Sequence, residues 1–184
     1  MKATLDCLEC VAKQALRAAR IATDDTATQR KILDETLARI PMMDTNDSPA
    51  ALSMTAYQLA AKHSGKKDPY EALKRAQNEM ALSLETSMRI RIAESEDPLE
   101  TALHLAAAGN VIDLGIDLLD NAGEIVFDKL LIEELQKHTT VTAVVKGAPM
   151  LNDVVRADAD LVGLTAVCEV IDNGGAFIGS PLEQ

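Results

Sequence analysis

Tryptophan is absent from the 184 residues, and phenylalanine and tyrosine supply two side chains each. Basic residues are also scarce, 18 Lys and Arg against 29 Asp and Glu, for a formal net charge of −11. Duplex binding needs clustered cations on phosphates, and single-strand binding adds aromatic platforms for stacked bases. Nucleic acid is therefore a poor partner for this chain, and a cation is a better one. No apolar run reaches the roughly eighteen residues of a membrane span, and the opening MKATLDCLEC lacks the uninterrupted apolar core of a signal peptide. These absences imply a cytoplasmic protein with no membrane partner. Three cysteines, an odd number, fit reduced thiols better than a disulfide framework.

What is present is an ordinary globular mixture, 47% hydrophobic and 26% charged, in a length suited to one or two small domains. The acidity is uneven. Residues 1–108 hold 14 basic and 16 acidic side chains, whereas residues 109–184 hold 4 and 13. Surplus carboxylates for solubility would account for this, and so would a cation site in the second part.

Residues 1–108 read as an all-helical region. A helix over Leu5 to Ala22 precedes a second from near Thr28 to Ile40, and Ser48-Pro49 and Asp68-Pro69 each look like an N-cap followed by proline at the first helical position. Glu71 completes a capping box after Asp68. The helix that follows carries Ala72, Ala76, Met80, Leu84, Met88 and Ile92 at four-residue intervals, which predicts that this stripe is its buried face. From residue 109 the pattern changes to strand and helix in alternation: GIDLLD, GEIVFDKLLIEELQKH, TVTAVVKG, DVVRADADLVG and TAVCEVID. That order predicts an α/β fold, a parallel sheet with crossover helices whose strands are apolar on both faces.

Ligands of such sheets bind beyond the carboxyl ends of the strands. Two junctions meet that condition, DNAGE at 120–124 and KGAPMLND at 146–153. Asp120 and Asn121, and likewise Asn152 and Asp153, stand before helices and would serve as N-caps. Because both pairs fall at one sheet edge, they also form a hard oxygen cluster suited to Mg²⁺ or Mn²⁺. Ala122 and Gly123 would turn backbone N–H groups outward at a helix N-terminus, an anion site. Lys146 at the same edge would neutralise a phosphoryl oxygen, or would be a solvated strand-end lysine. Asn110 and Asp113 flank a helix end in AAAGNVIDLG. Cys7 and Cys10 stand three apart on one helical face, as incidental thiols, as part of a second metal site, or as a redox pair.

Taken together, CLEC, AGNVIDLG, DNAGEIVFDKLLIEEL, VVKGAPMLNDV and the VIDNG turn resemble the metal-dependent damage-control phosphatase family, also catalogued as domain of unknown function 89, most closely its CxxC-bearing prokaryotic subfamily. The resemblance implies a helical N-terminal region packed on a Rossmann-like core at residues 109–184, and hydrolysis of phosphate esters such as sugar phosphates or damaged phosphometabolites. It places Asp120, Asn121 and Asp153 at the metal and catalytic positions, with Asn110, Gly123, Glu124, Lys146 and Asn152 near a small phosphorylated metabolite. The expected cofactor is Mn²⁺, Mg²⁺, Co²⁺ or Ni²⁺. Against the family pattern the chain looks shortened between AGNVIDLG and DNAGE and after GSPLEQ, where a KGxxN motif is expected. A shortened sheet would expose an edge and favour self-association. The alternatives are a catalytically inactive metal-binding or assembly module, or a fragment of the full phosphatase.

Overall fold

The structure, a computed structural model, describes residues 2–109 and 122–175. They fall into two compact units, 2–70 and 71–175. The first unit is helical. Helix α1 spans Leu5–Ala22, α2 Thr26–Arg39 and α3 Pro49–Ser64. Asp25 starts α2 by accepting the Thr28 N–H at 2.9 Å, and Ser48 starts α3 through the Ala51 N–H at 3.2 Å. Ala18, Ala19 and Ala22 of α1 pack with Ile32 of α2 and with Leu59 and Ala60 of α3. Small residues at these positions let the helices approach closely.

The second unit is a mostly helical α/β structure. It contains α4 (Glu71–Ala93), α5 (Pro98–Gly109), α6 (Glu124–Leu135), β1 (Thr142–Val145), α7 (Arg156–Leu161) and β2 (Glu169–Asp172). Helices α4 and α5, which the sequence pattern groups with the helical region, belong to this unit. The two strands pair in parallel with Thr142 opposite Glu169 and Val145 opposite Asp172, and α7 lies in the connection between them. The predicted strand GIDLLD lies outside the described residues, and among those residues the sheet has two strands.

Three expectations differ from the structure. The strands are covered on one face, where Val145 and Val170 join the core, while Val144 and Ile171 are exposed. The apolar stripe of α4 is also not its buried face over the first half of the helix. Ala72 and Ala76 are exposed and Met80 is 48% exposed, whereas Lys74, Gln77, Asn78 and Ala81 are buried. The spacing is still helical, at i, i+3, i+4 and i+7, but most of the residues are polar. The helix also begins at Glu71 rather than at Pro69, because Asp68 turns back to accept the Tyr70 N–H at 2.9 Å.

Around the apolar core, Ile125, Val126 and Phe127 of α6 meet Val145, Val154, Ala159, Val162, Leu164 and Val170. The start of α6 is therefore held at the centre of the unit, not at a frayed surface end.

Candidate active site

The chain leaves β1 at Lys146, makes an excursion over 147–153, and returns at Val154. Its base is closed by the Lys146 N–H donating to the Val154 carbonyl at 2.9 Å. The Asp153 N–H donates to the Met150 carbonyl at 3.0 Å, forming a tight turn that holds Leu151 at φ 52°. A left-handed Leu is strained by roughly 1 kcal/mol or more, and such strain persists only where surrounding contacts fix it. The result brings the Asp153 carboxylate to 3.4 Å from Lys146 Nζ, with both side chains buried.

Asp153 does not cap α7. Helix α7 starts three residues later, and Asp158 satisfies its first turn by accepting the Val155 N–H at 3.0 Å. That removes the N-cap account of Asp153, and burial removes the solvated-lysine account of Lys146.

The excursion is braced from β2. Asn173 Oδ1 accepts the Gly147 N–H at 3.0 Å, and the Gly147 N–H also faces the Gly175 carbonyl at 3.2 Å. A Cβ at position 147 would stand 2.6 Å from the Gly175 nitrogen, so only glycine fits between the two strand ends.

The second junction meets the first at Ala122 and Gly123. The Ala122 N–H donates to the Asn152 carbonyl at 2.9 Å, and the Gly123 N–H donates to Asn78 Oδ1 at 2.7 Å. Both groups are thus spent on the protein, which corrects the expectation that they face outward to an anion. Gly123 is required for a different reason: its φ is 97°, and a Cβ there would lie 3.3 Å from the Gln77 carbonyl oxygen.

Asn78 also donates from Nδ2 to Asp158 Oδ1 at 3.4 Å, and Lys74 Nζ reaches Asp158 Oδ2 at 3.1 Å. A buried polar cluster on α4 therefore joins the starts of α6 and α7, the two elements that follow the predicted ligand loops. Lys74, Gln77, Asn78 and Asp158 are not among the residues the sequence pattern singles out, because apolar periodicity assigns the buried face of α4 to its apolar residues. The signal available was the i, i+3, i+4 spacing of Lys74, Gln77 and Asn78.

Of the other predicted residues, Glu124 is buried at the first position of α6. Asn152 is buried and joins Ala122, as above. Asn110, Asp120 and Asn121 lie outside the described residues. Among the described residues no three His, Cys, Asp or Glu side chains are grouped to hold a metal ion. The donor chemistry nevertheless suits a hard divalent cation, since Asp153 supplies a buried carboxylate just beyond the end of β1.

Cys7 and Cys10 belong to the first unit. Cys7 Sγ accepts the Thr4 N–H at 3.3 Å, and this bond, helped by the Thr4 hydroxyl, lowers the thiol pKa. Cys10 is exposed, with Gln14 Nε2 donating to its sulfur at 3.2 Å. Cys168 is buried in the second unit, where burial raises its thiol.

No described helix is long and apolar enough to cross a membrane. The damage-control phosphatase ARMT1-like domain model matches residues 3–118 and 117–184. An uncharacterized protein of Methanocaldococcus jannaschii is 30% identical, over 97% of this chain and 73% of its own length. A damage-control phosphatase of Archaeoglobus fulgidus is 26% identical, over 100% of this chain and 78% of its own. The crystal structure of a DUF89 family protein from Pyrococcus horikoshii superposes with a TM-score of 0.84 at 25% identity, covering 100% of this chain and 78% of that one. The chain belongs to the damage-control phosphatase ARMT1-like family.

Proposed function

We propose that the protein is a metal-dependent phosphatase acting on a small phosphorylated metabolite such as a sugar phosphate. The observation that carries this reading is Asp153: a buried carboxylate, with the cap of α7 supplied by Asp158 instead, set beside the buried Lys146 at the carboxyl end of a parallel strand. Asp120, Asn121 and Asp153 would hold the cation, and its Lewis acidity would act on the phosphoryl group and the attacking water.

The chain's own residues do the rest. Lys146, fixed by the closed base of the 147–153 excursion, offsets negative charge on Asp153 and on phosphoryl oxygens. Gly123 and Glu124 would set the wall of the site at the start of α6, and Asn110 would be a further substrate contact. Asn78 and Lys74 hold the starts of α6 and α7 at a fixed separation, which orientation-dependent phosphoryl transfer requires.

The test is phosphate release from a sugar phosphate by chelator-stripped protein to which Mn²⁺, Mg²⁺, Co²⁺ or Ni²⁺ is added singly. At least one metal restores turnover and renewed chelation abolishes it. Equal turnover with and without metal contradicts the metal requirement, and no release under any condition contradicts the phosphatase reading.

A further inference from the structure

Gln77 is the anomaly of the buried polar face of α4. Its side chain is 2% exposed, yet neither Oε1 nor Nε2 has a hydrogen-bond partner among the described residues. Its neighbours Lys74 and Asn78 are matched to Asp158 and Gly123. A buried amide left unpaired costs free energy at both atoms, and Leu or Met would fill the same volume without that cost. Asn152 shows the same defect: it is 1% exposed and its Nδ2 has no partner among the described residues. Both residues adjoin one turn. Asn152 accepts the Ala122 N–H through its carbonyl, and Gln77 lies against Gly123, its Cβ 3.4 Å from where a Cβ of residue 123 would stand.

The pattern of unmet groups indicates the chemistry of the missing partner. Gln77 offers a donor and an acceptor side by side, and Asn152 adds a donor. A phosphoryl oxygen would satisfy the donors and leave Oε1 unmatched, whereas a cation would satisfy Oε1 alone. A hydroxyl both donates and accepts, and adjacent hydroxyls satisfy the whole set.

Resting on the phosphatase reading above, we propose that Gln77 is a substrate-recognition residue which, with Asn152, forms a subsite for the hydroxyl-bearing organic part of the phosphate ester. The subsite selects polyol phosphates over esters without hydroxyls, because an analogue lacking the hydroxyls leaves both amides unpaired.

The test compares Gln77→Leu and Gln77→Met with the unchanged protein on glucose 6-phosphate and on p-nitrophenyl phosphate, with the same metal. The substitutions remove an unpaired buried amide, so thermal stability is retained or raised. The value of kcat/KM for the sugar ester falls roughly tenfold, mainly through KM, the loss expected for about one hydrogen bond. For the hydroxyl-free ester it stays within about twofold. A parallel fall on both esters, or no fall on the sugar ester, overturns the subsite while leaving the phosphatase reading intact. If both variants unfold, Gln77 is a structural residue and the proposal fails. No turnover of either ester by the unchanged protein with any of the four metals overturns the phosphatase reading and the subsite together.

Discussion

A few buried side chains carry the geometry of the site. Asn78 has one amide between two elements, accepting from Gly123 and donating to Asp158. Asn78→Ala would leave the Gly123 N–H buried and unpaired, at a cost of about 1–3 kcal/mol. Denaturant unfolding should register that loss, and metal titration should show weaker binding because the start of α6 is no longer anchored. Asn78→Asp is a sharper probe. It keeps an acceptor for Gly123 but replaces the donor to Asp158 with a second carboxylate, so unfolding should still show a loss although the Gly123 N–H stays paired. Lys74→Met removes the cation from a buried pair and should cost about 3 kcal/mol by the same unfolding measurement. At Gly147, alanine meets the Gly175 backbone at 2.6 Å, so Gly147→Ala should destabilise by about 1–3 kcal/mol through forced displacement of the two strand ends.

The helices of the first unit follow closely from sequence chemistry, since Asp25 and Ser48 bond the N–H groups that an N-cap should. Strands β1 and β2 and helix α6 also fall where alternating patterns place them. Helix α4 does not follow the rule, because hydrophobic periodicity assumes that apolar residues mark the inside. Here Lys74 and Asn78 are inside because they bond Asp158 and Gly123, Gln77 lies inside against Gly123, and Met80 is left outside. Asp158 caps α7 locally through the Val155 N–H, but its pairing with Lys74 and Asn78 is a contact distant in sequence that carries no local signature. Asp153 and Lys146 were legible as residues at a strand end. Their proximity depends on the closure of the 147–153 excursion, a contact between backbone atoms that carries no residue signature. The α4 and α6 helices are further joined by Lys129, whose Nζ lies 2.8 Å from Glu85 Oε1 and 2.8 Å from the Val162 carbonyl.

For the molecule as a whole, the net charge of −11 opposes compactness as pH rises, while paired carboxylates set its response to acid. Glu35 is the clearest case. His63 Nε2 lies 2.5 Å from its carboxylate and Lys62 Nζ 3.3 Å, and the His63 bond leads in holding the Glu35 pKa at about 2 against an ordinary 4.5. A depressed carboxyl pKa stabilises the fold above the unfolded value, and the contribution is lost as pH falls from 4.5 toward about 2. Glu35→Gln should therefore flatten the acid dependence of stability in that window, as seen in melting curves taken across it.

The uneven acidity has a local counterpart, since Asp153 belongs to the stretch with 13 acidic and 4 basic side chains. Whether that carboxylate holds a metal for phosphate hydrolysis is most directly decided by Asp153→Asn, which changes charge and ligand strength with almost no change of shape. Divalent-metal affinity by calorimetry and phosphate release from a sugar phosphate should be measured on this variant beside the unchanged protein. Both should fall, turnover by about 100-fold or more, beyond the usual cost of losing a merely supporting residue at a metal site. Unchanged metal affinity together with unchanged turnover would contradict a metal-holding role for Asp153.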